Sequence, residues 1–235
     1  MRFVIVASSI LVALAACSSG PPRGLPDPSA LQARGEALIS EGHAREALEL
    51  FRQAFSTSQG SRFISAIGLA RASIALGDWK GYESSLQIAM TFSPGSPEAD
   101  DLLGRTMLEA ARRLKDDLAR QNAALAASFF TRARSRAPDI PGLSYHMGLA
   151  MVLQGRYRES VRYLEASLRE NPGLTAAMDV LVDVLRRMDA RRAMLALLAP
   201  REKAGSLAPR FVDDLLWARG GTAPAPGPGG ATQGR

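Results

Sequence analysis

The chain has 235 residues and a single cysteine, so it can form no disulfide within itself. Its composition, 46% hydrophobic but only 6% aromatic, is typical of a helical core built from Ala, Leu and Met. The net charge of +6 is interleaved with acidic residues and forms no basic stripe, which argues against nucleic acid as a partner.

The first seventeen residues have the pattern of an export signal. Arg2 precedes an apolar run over residues 3–16, which ends in Leu-Ala-Ala-Cys at Cys17. This ending resembles the bacterial lipobox, in which small residues precede a cysteine that is acylated before cleavage. The resemblance implies a lipoprotein signal peptide at 1–16 and lipidation of Cys17. Two alternatives stay open, a secreted protein with an incidental cysteine and an uncleaved anchor helix, although a spanning helix needs about 20 apolar residues.

Residues 17–27 are predicted to be the acylated cysteine and a tether. They are rich in Ser, Gly and Pro, and about ten such residues reach roughly 30 Å when extended. Ser18 stands where an Asp, in the lipoproteins of enteric bacteria, favours retention in the inner membrane. The resemblance therefore implies an outer membrane lipoprotein that faces the periplasm, with the membrane as a partner through the lipid anchor.

A repeating pattern follows, and its clearest copy spans 141–174. Gly148 and Ser160 are small enough to let two antiparallel helices approach closely, and Gly155 can end the first helix with a left-handed backbone. Pro172 stops the second helix. A second good copy of the same frame begins at Pro28 and has Gly35, Gly42, Ala47, Phe51 and Ala54 in the corresponding places.

This pattern resembles the tetratricopeptide repeat, or TPR. The resemblance implies an all-α fold, a TPR-like solenoid of helix hairpins with about four to five repeats and a C-terminal capping helix. The solenoid is predicted over 28–219, with repeats near 28–62, 63–96, 97–140 and 141–174, a degenerate copy at 175–200 and the capping helix at 208–219. Residues 220–235 have no large apolar side chain and are predicted to be a disordered tail.

Two copies depart from the pattern. Tyr82 stands where a small residue is usual, so the second hairpin is expected to splay or tilt. Gly104 to Ala126 spans 22 residues, whereas the corresponding span in the other copies is 12. The extra segment contains no Gly or Pro, which predicts that both helices of the third hairpin are longer by about a turn and a half.

In the TPR family the first helices line a concave groove that binds another polypeptide. The family's groove positions fall here on an apolar strip with arginines beside it, suited to an amphipathic helix or an extended segment bearing acidic residues. The alternative is that some of these residues pack against the third hairpin or the terminal helix. The predicted groove residues are Gln32, Glu36, Ile39, Ile64, Ile67, Arg71, Ile74, Asp101, Arg105, Leu108, Tyr145, Leu149 and Val152.

No catalytic residue, metal ligand or cofactor is predicted. His43 and His146 fall in different repeats, and the common zinc sites need cysteines that the folded part lacks. Asp116 and Asp117 are adjacent on a helix and point about 100° apart, which is poor geometry for acid–base chemistry.

These features favour a non-catalytic, membrane-anchored scaffold for protein–protein interactions. The architecture is similar to that of repeat lipoproteins that assist secretin assembly, which implies an envelope machine such as a type IV pilus or a Tad-type secretion system. Two alternatives stay open: an adaptor for cell-wall or outer-membrane maintenance enzymes, and an enzyme that uses a polar cluster in the groove.

Overall fold

The computed structural model describes residues 27–57 and 60–221, which form eleven α-helices and one short 3-10 turn, with no strand among them. The predicted all-α fold is confirmed. The helices are α1 (Pro28–Ser40), α2 (Ala44–Thr57), α3 (Arg62–Leu76), α4 (Trp79–Thr91), α5 (Pro97–Ala111), α6 (Asp116–Arg136), α7 (Leu143–Leu153), α8 (Tyr157–Glu170), α9 (Thr175–Arg187), α10 (Arg191–Lys203) and α11 (Val212–Ala218). The predicted signal peptide 1–16, the lipidated Cys17 and nearly all of the predicted tail lie outside the described residues.

The helices pack as consecutive hairpins. Each pair, α1 with α2 through α9 with α10, is joined by a short turn and is in contact, with the last pair touching least. The first helices of successive hairpins (α1, α3, α5, α7 and α9) also contact one another and form one continuous surface, called here the first-helix surface. The predicted solenoid of helix hairpins is confirmed.

Glycines on the first helices make room for aromatic rings from the second helices. The ring of Phe51 is fully buried, and an added β-carbon would meet it at 2.7 Å from Gly35 and at 2.2 Å from Gly68. Gly104 faces the buried ring of Phe130 in the same way, at 2.5 Å. These close approaches fix the spacing of the helices, because any side chain at these glycines would collide with a ring.

The third hairpin carries its insertion differently from the prediction. α5 has 15 residues, the same length as α3, whereas α6 has 21. The prediction that both helices are lengthened is therefore wrong for the first helix. The chain turns at 112–115 without Gly or Pro because Asp116 adopts a left-handed φ of 50°, which Asp tolerates better than most residues, and Leu114 packs into the core.

Tyr82 is accommodated by the extended part of α6. Its ring is 3% exposed and packs against Ala70, Ile74 and Ala110. Its hydroxyl donates a hydrogen bond of 2.8 Å to Oδ1 of Asn122 on α6. The long second helix of the third hairpin therefore supplies the polar partner that the buried phenol needs.

A Tyr82→Phe variant should respond less to alkaline pH than the parent protein. Burial raises the pKa of Tyr82, and the negative charge of Glu83 adds to the shift. Above about pH 10 the phenol of the unfolded chain ionises while the folded protein keeps its proton, so stability is lost as the pH rises. Urea unfolding at neutral pH should show a loss of about 1 kcal/mol for the missing hydrogen bond. The decline above about pH 10 should then be shallower in the variant, and parallel declines would contradict this.

The last helix closes the end of the solenoid. The predicted capping helix at 208–219 corresponds to a 3-10 turn at Pro209–Phe211 followed by α11. Leu215 and Trp217 are buried against α9 and α10, and Arg191 donates to the main-chain oxygen of Trp217 at 3.1 Å. The end of the helical stack is thus covered by packed side chains.

Candidate functional site

Polar side chains link successive helices across the first-helix surface. Gln32 Nε2 on α1 donates to Ser65 Oγ on α3 at 2.8 Å. Arg71 on α3 pairs with Glu36 on α1, and its Nε donates to Glu109 Oε2 on α5 at 3.1 Å. These polar contacts link α1, α3 and α5.

The charge of Arg71 is already neutralised. Burial alone would lower the pKa of Arg71, but the negative charges of Glu36 and Glu109 outweigh it and hold the pKa above the usual value. Arg71 and Glu36 therefore lie on the predicted groove surface. Arg71 already pairs with both Glu36 and Glu109, so it offers no unpaired charge to a partner.

Four of the predicted groove residues are buried, which corrects the expectation that they are accessible. Ile67, Ile74 and Leu108 are only 3%, 0% and 4% exposed. Because neighbouring first helices touch, Ile67 and Ile74 fill the seams beside α3, and Leu108 packs into the core with only a small edge at the surface. Asp101, at 7%, is buried as well.

The other predicted residues keep some exposure. Ile64 is 41% exposed, and Arg105 is also exposed. The half-buried members of the set are Gln32, Glu36, Ile39, Arg71, Tyr145, Leu149 and Val152. The apolar strip is consequently shorter than predicted, and its best-formed part lies between α5 and α7.

A recess of about 560 Å³ lies there, called here the α5–α7 recess. It is lined by three of the predicted groove residues that the structure leaves at least partly exposed, namely Arg105, Tyr145 and Leu149. Its lining residues are Arg105, Leu108, Glu109, Arg112, Arg113, Tyr145, His146 and Leu149. Arg112 and Arg113 belong to the turn after α5, so the only sequence signal for them was the irregular spacing of the third hairpin.

The recess is electropositive. Its lining has three guanidinium groups and one carboxylate, Glu109, which Arg71 already engages. Arg112 and Arg113 are exposed and make no ion pair with any described residue, although Arg113 donates to the main-chain oxygen of Ile74 at 3.3 Å. Arg105 lies 3.5 Å from the carboxylate of Asp101.

The pKa of Tyr145 depends on its burial and on nearby charges, including Arg112 in the turn after α5. Burial raises the pKa of Tyr145, and the positive charge of Arg112 opposes the shift while Asp179 supports it. The guanidinium of Arg112 and the phenol of Tyr145 therefore interact electrostatically across the recess that both line.

His146 forms a fixed wall of the recess. Its ring stacks on Phe130 with 5.7 Å between centroids and 22° between planes. Its Nδ1 is buried and lies 3.5 Å from Asp101 Oδ1, and neither of these two atoms has a hydrogen-bond partner among the described residues. This packing holds the imidazole in place, and its remaining exposed edge forms part of the wall of the recess.

The recess offers groups suited to binding. Guanidinium groups provide paired N–H donors for carboxylates, and Tyr145 and Leu149 provide an apolar face beside them. Within residues 27–57 and 60–221, no group of three or more His, Cys, Asp or Glu side chains is placed to hold a metal ion. Over the same ranges, no helix has both the length and the apolar character that a membrane span requires.

Solved structures of similar fold were found, but no family model and no curated protein matches the sequence. TTC0263, a thermophilic TPR protein of Thermus thermophilus, is 20% identical over 82% of this chain and 97% of its own, with a TM-score of 0.57. MamA is 15% identical over 76% of this chain and 93% of its own, with a TM-score of 0.52. At these identities the likeness concerns the fold, which is TPR-like.

Proposed function

We propose that this protein is a non-catalytic scaffold whose first-helix surface binds a segment of another polypeptide while a lipid on Cys17 holds it at a membrane. The observation that carries the proposal is the α5–α7 recess. It combines an apolar face with arginines that no described carboxylate neutralises, and it opens on a surface whose helices are otherwise tied together by ion pairs. Unpaired charged side chains next to an accessible apolar surface are typical of a binding site for another protein.

The first seventeen residues and the TPR-like architecture support the proposed cellular setting. The lipobox-like ending before Cys17, with Ser18 after it, supports an outer membrane lipoprotein that faces the periplasm. A tether of about ten residues keeps the repeats within roughly 30 Å of the bilayer. We place the scaffold in the assembly of an envelope machine, such as a type IV pilus or a Tad-type secretion system.

Site-specific photocrosslinking in the native membranes would test the scaffold function. A photoreactive amino acid at Ile64 or Leu149 on the first-helix surface should capture the same envelope protein. The same group at Glu165, exposed on α8 and outside that surface, is the matched control. Capture from Glu165 alone, or from no position, would contradict a binding role for the first-helix surface.

A Cys17→Ser variant tests the anchor. Two or three acyl chains bind a bilayer stably because each buried methylene contributes about 0.8 kcal/mol. The variant should therefore leave the membrane fraction or accumulate with its signal unprocessed, and it should take up no labelled palmitate. Labelling that persists in the variant would show that Cys17 is not the lipidated residue.

A further inference from the structure

The geometry points to a specific partner chemistry for the α5–α7 recess, and this inference rests on the proposed scaffold function. We infer that the recess recognises an acidic segment of another polypeptide. Carboxylates of that segment bind Arg112 and Arg113, with Arg105 beside them, and a neighbouring apolar residue packs on Leu149 and Tyr145.

The arginines on and beside the first-helix surface differ in whether a carboxylate pairs with them. Arg71 is paired with Glu36 and Glu109 and has no charge to offer. Arg105 is partly compensated by Asp101 at 3.5 Å. The guanidinium groups of Arg112 and Arg113 are the ones in the recess that no described carboxylate pairs with, so the recess keeps an excess positive charge that an acidic segment complements.

Arg112 and Arg113 lie in the turn after α5, which differs from the corresponding turns of two other hairpins. The second residue after the first helix is Gly42 after α1 and Gly155 after α7, and both have a positive φ. After α5 the same place holds Arg113. The third hairpin thus replaces a compact glycine turn with a longer turn that carries two guanidinium groups to the rim of the recess.

The segments of this chain outside the described residues are poor candidates for the occupant. The segments outside the described residues, 1–26, 58–59 and 222–235, contain no Asp or Glu. These segments therefore have no acidic side chain to offer the recess. The acidic segment comes from a folded region of a second copy or from a different protein. Glu159, Asp183 and Glu202 already pair with arginines of this chain, whereas Glu83 and Asp213 are exposed and make no ion pair with a described residue. The proposed occupant is a different protein, and a second copy is an outcome of the test below.

The apolar half of the recess limits what kind of acidic segment fits. Tyr145 and Leu149 lie one turn apart on α7 and are both half-buried, so each presents part of its side chain to the recess. A purely acidic segment would leave the side chains of Tyr145 and Leu149 in contact with water. An acidic residue followed within a few positions by a large apolar residue satisfies both halves.

Selection from a random dodecapeptide phage library against the purified full-length protein tests the inference without assuming a partner. The test variant is Arg112→Gln with Arg113→Gln. The matched control is Arg162→Gln with Arg169→Gln, which removes the same charge from exposed positions on α8, outside the first-helix surface. Thermal melting of both variants checks that the fold is intact, which is expected because all four arginines are exposed.

Peptides selected on the parent protein should be enriched in Asp or Glu close to a large apolar residue. A selected peptide should bind the test variant at least about tenfold more weakly, since a hydrogen bond to a charged group is worth about that factor. It should bind the control variant as it binds the parent. Competition by an excess of the test variant, which keeps this chain's acidic residues but not the arginines that hold the peptide, would show a second copy as the occupant and overturn the assignment to a different protein.

Two other results separate this inference from the scaffold function. Peptides that crosslink to Leu149 but show no acidic enrichment, or that bind the test variant equally well, overturn the acidic specificity and leave the scaffold function standing. Selected peptides that bind but crosslink to Glu165 on α8 and not to Leu149 overturn both, because binding would then lie outside the first-helix surface.

Discussion

Replacing Phe51 by alanine should lower the free energy of unfolding by about 3–5 kcal/mol, as removal of a fully buried aromatic ring does. The ring lies between Gly35 and Gly68, which contact it directly and have no side chains of their own. The surrounding helices therefore cannot fill the void without moving toward each other. Urea unfolding followed by circular dichroism measures the loss.

Phe92→Ala is the matched control, because the same side-chain atoms are removed from a position that is 40% exposed. Its edge contact with Phe55 is at the surface, so the expected loss is under about 1 kcal/mol. A whole domain is commonly stable by about 5–15 kcal/mol, so only the Phe51 variant should lose a large share of its folding free energy. Similar losses in the two variants would contradict the packing of α1, α2 and α3 described above.

Helix pairing was predictable from the sequence because its determinants are local. Gly148 and Gly155 mark the closest helix approach and the turn of one hairpin, and these positions recur at a fixed spacing. Gly68 was not singled out, although it has the tightest contact among the glycines of the first helices. Its role depends on a ring from the preceding hairpin, and no feature of the sequence around Gly68 indicates that neighbour.

The groove was harder to predict for a related reason. Family positions specify which side of a helix faces the groove, but they do not specify how closely the next helix packs. Ile67, Ile74 and Leu108 were expected to be accessible and are instead in the core. Arg112 and Arg113 fall beyond the family's groove positions, so only the structure brings them to the recess.

The insertion in the third hairpin connects fold and proposed function. Its extra residues lengthen α6, and Asn122 on that helix accepts the hydrogen bond of the buried Tyr82. The same irregularity changes the turn after α5 and places Arg113 where the first and fourth hairpins have Gly42 and Gly155. One departure from the repeat thus stabilises the neighbouring hairpin and also gives the first-helix surface its unpaired charge.

An Arg186→Met variant should lose about 3 kcal/mol or more of stability, because it leaves a buried carboxylate without its cation. Arg186 on α9 donates through Nε to Asp214 Oδ1 on α11 at 3.0 Å, and the side chain of Asp214 is only 4% exposed. Arg187→Met is the matched control, since Arg187 pairs with Asp183 at the surface and such pairs contribute about 0–1 kcal/mol. Urea unfolding of both variants provides the comparison.

A second substitution distinguishes loss of attraction from exposure of an uncompensated charge. If the carboxylate of Asp214 is the source of the loss, Asp214→Leu added to Arg186→Met should recover most of the stability, because a buried ion pair replaced by apolar side chains is often nearly neutral. α11 would then remain packed through Leu215 and Trp217, which are 1% and 3% exposed. A double variant that is no more stable than Arg186→Met would instead mean that the ion pair itself holds the capping helix against α9, with the apolar contacts too weak to keep it there.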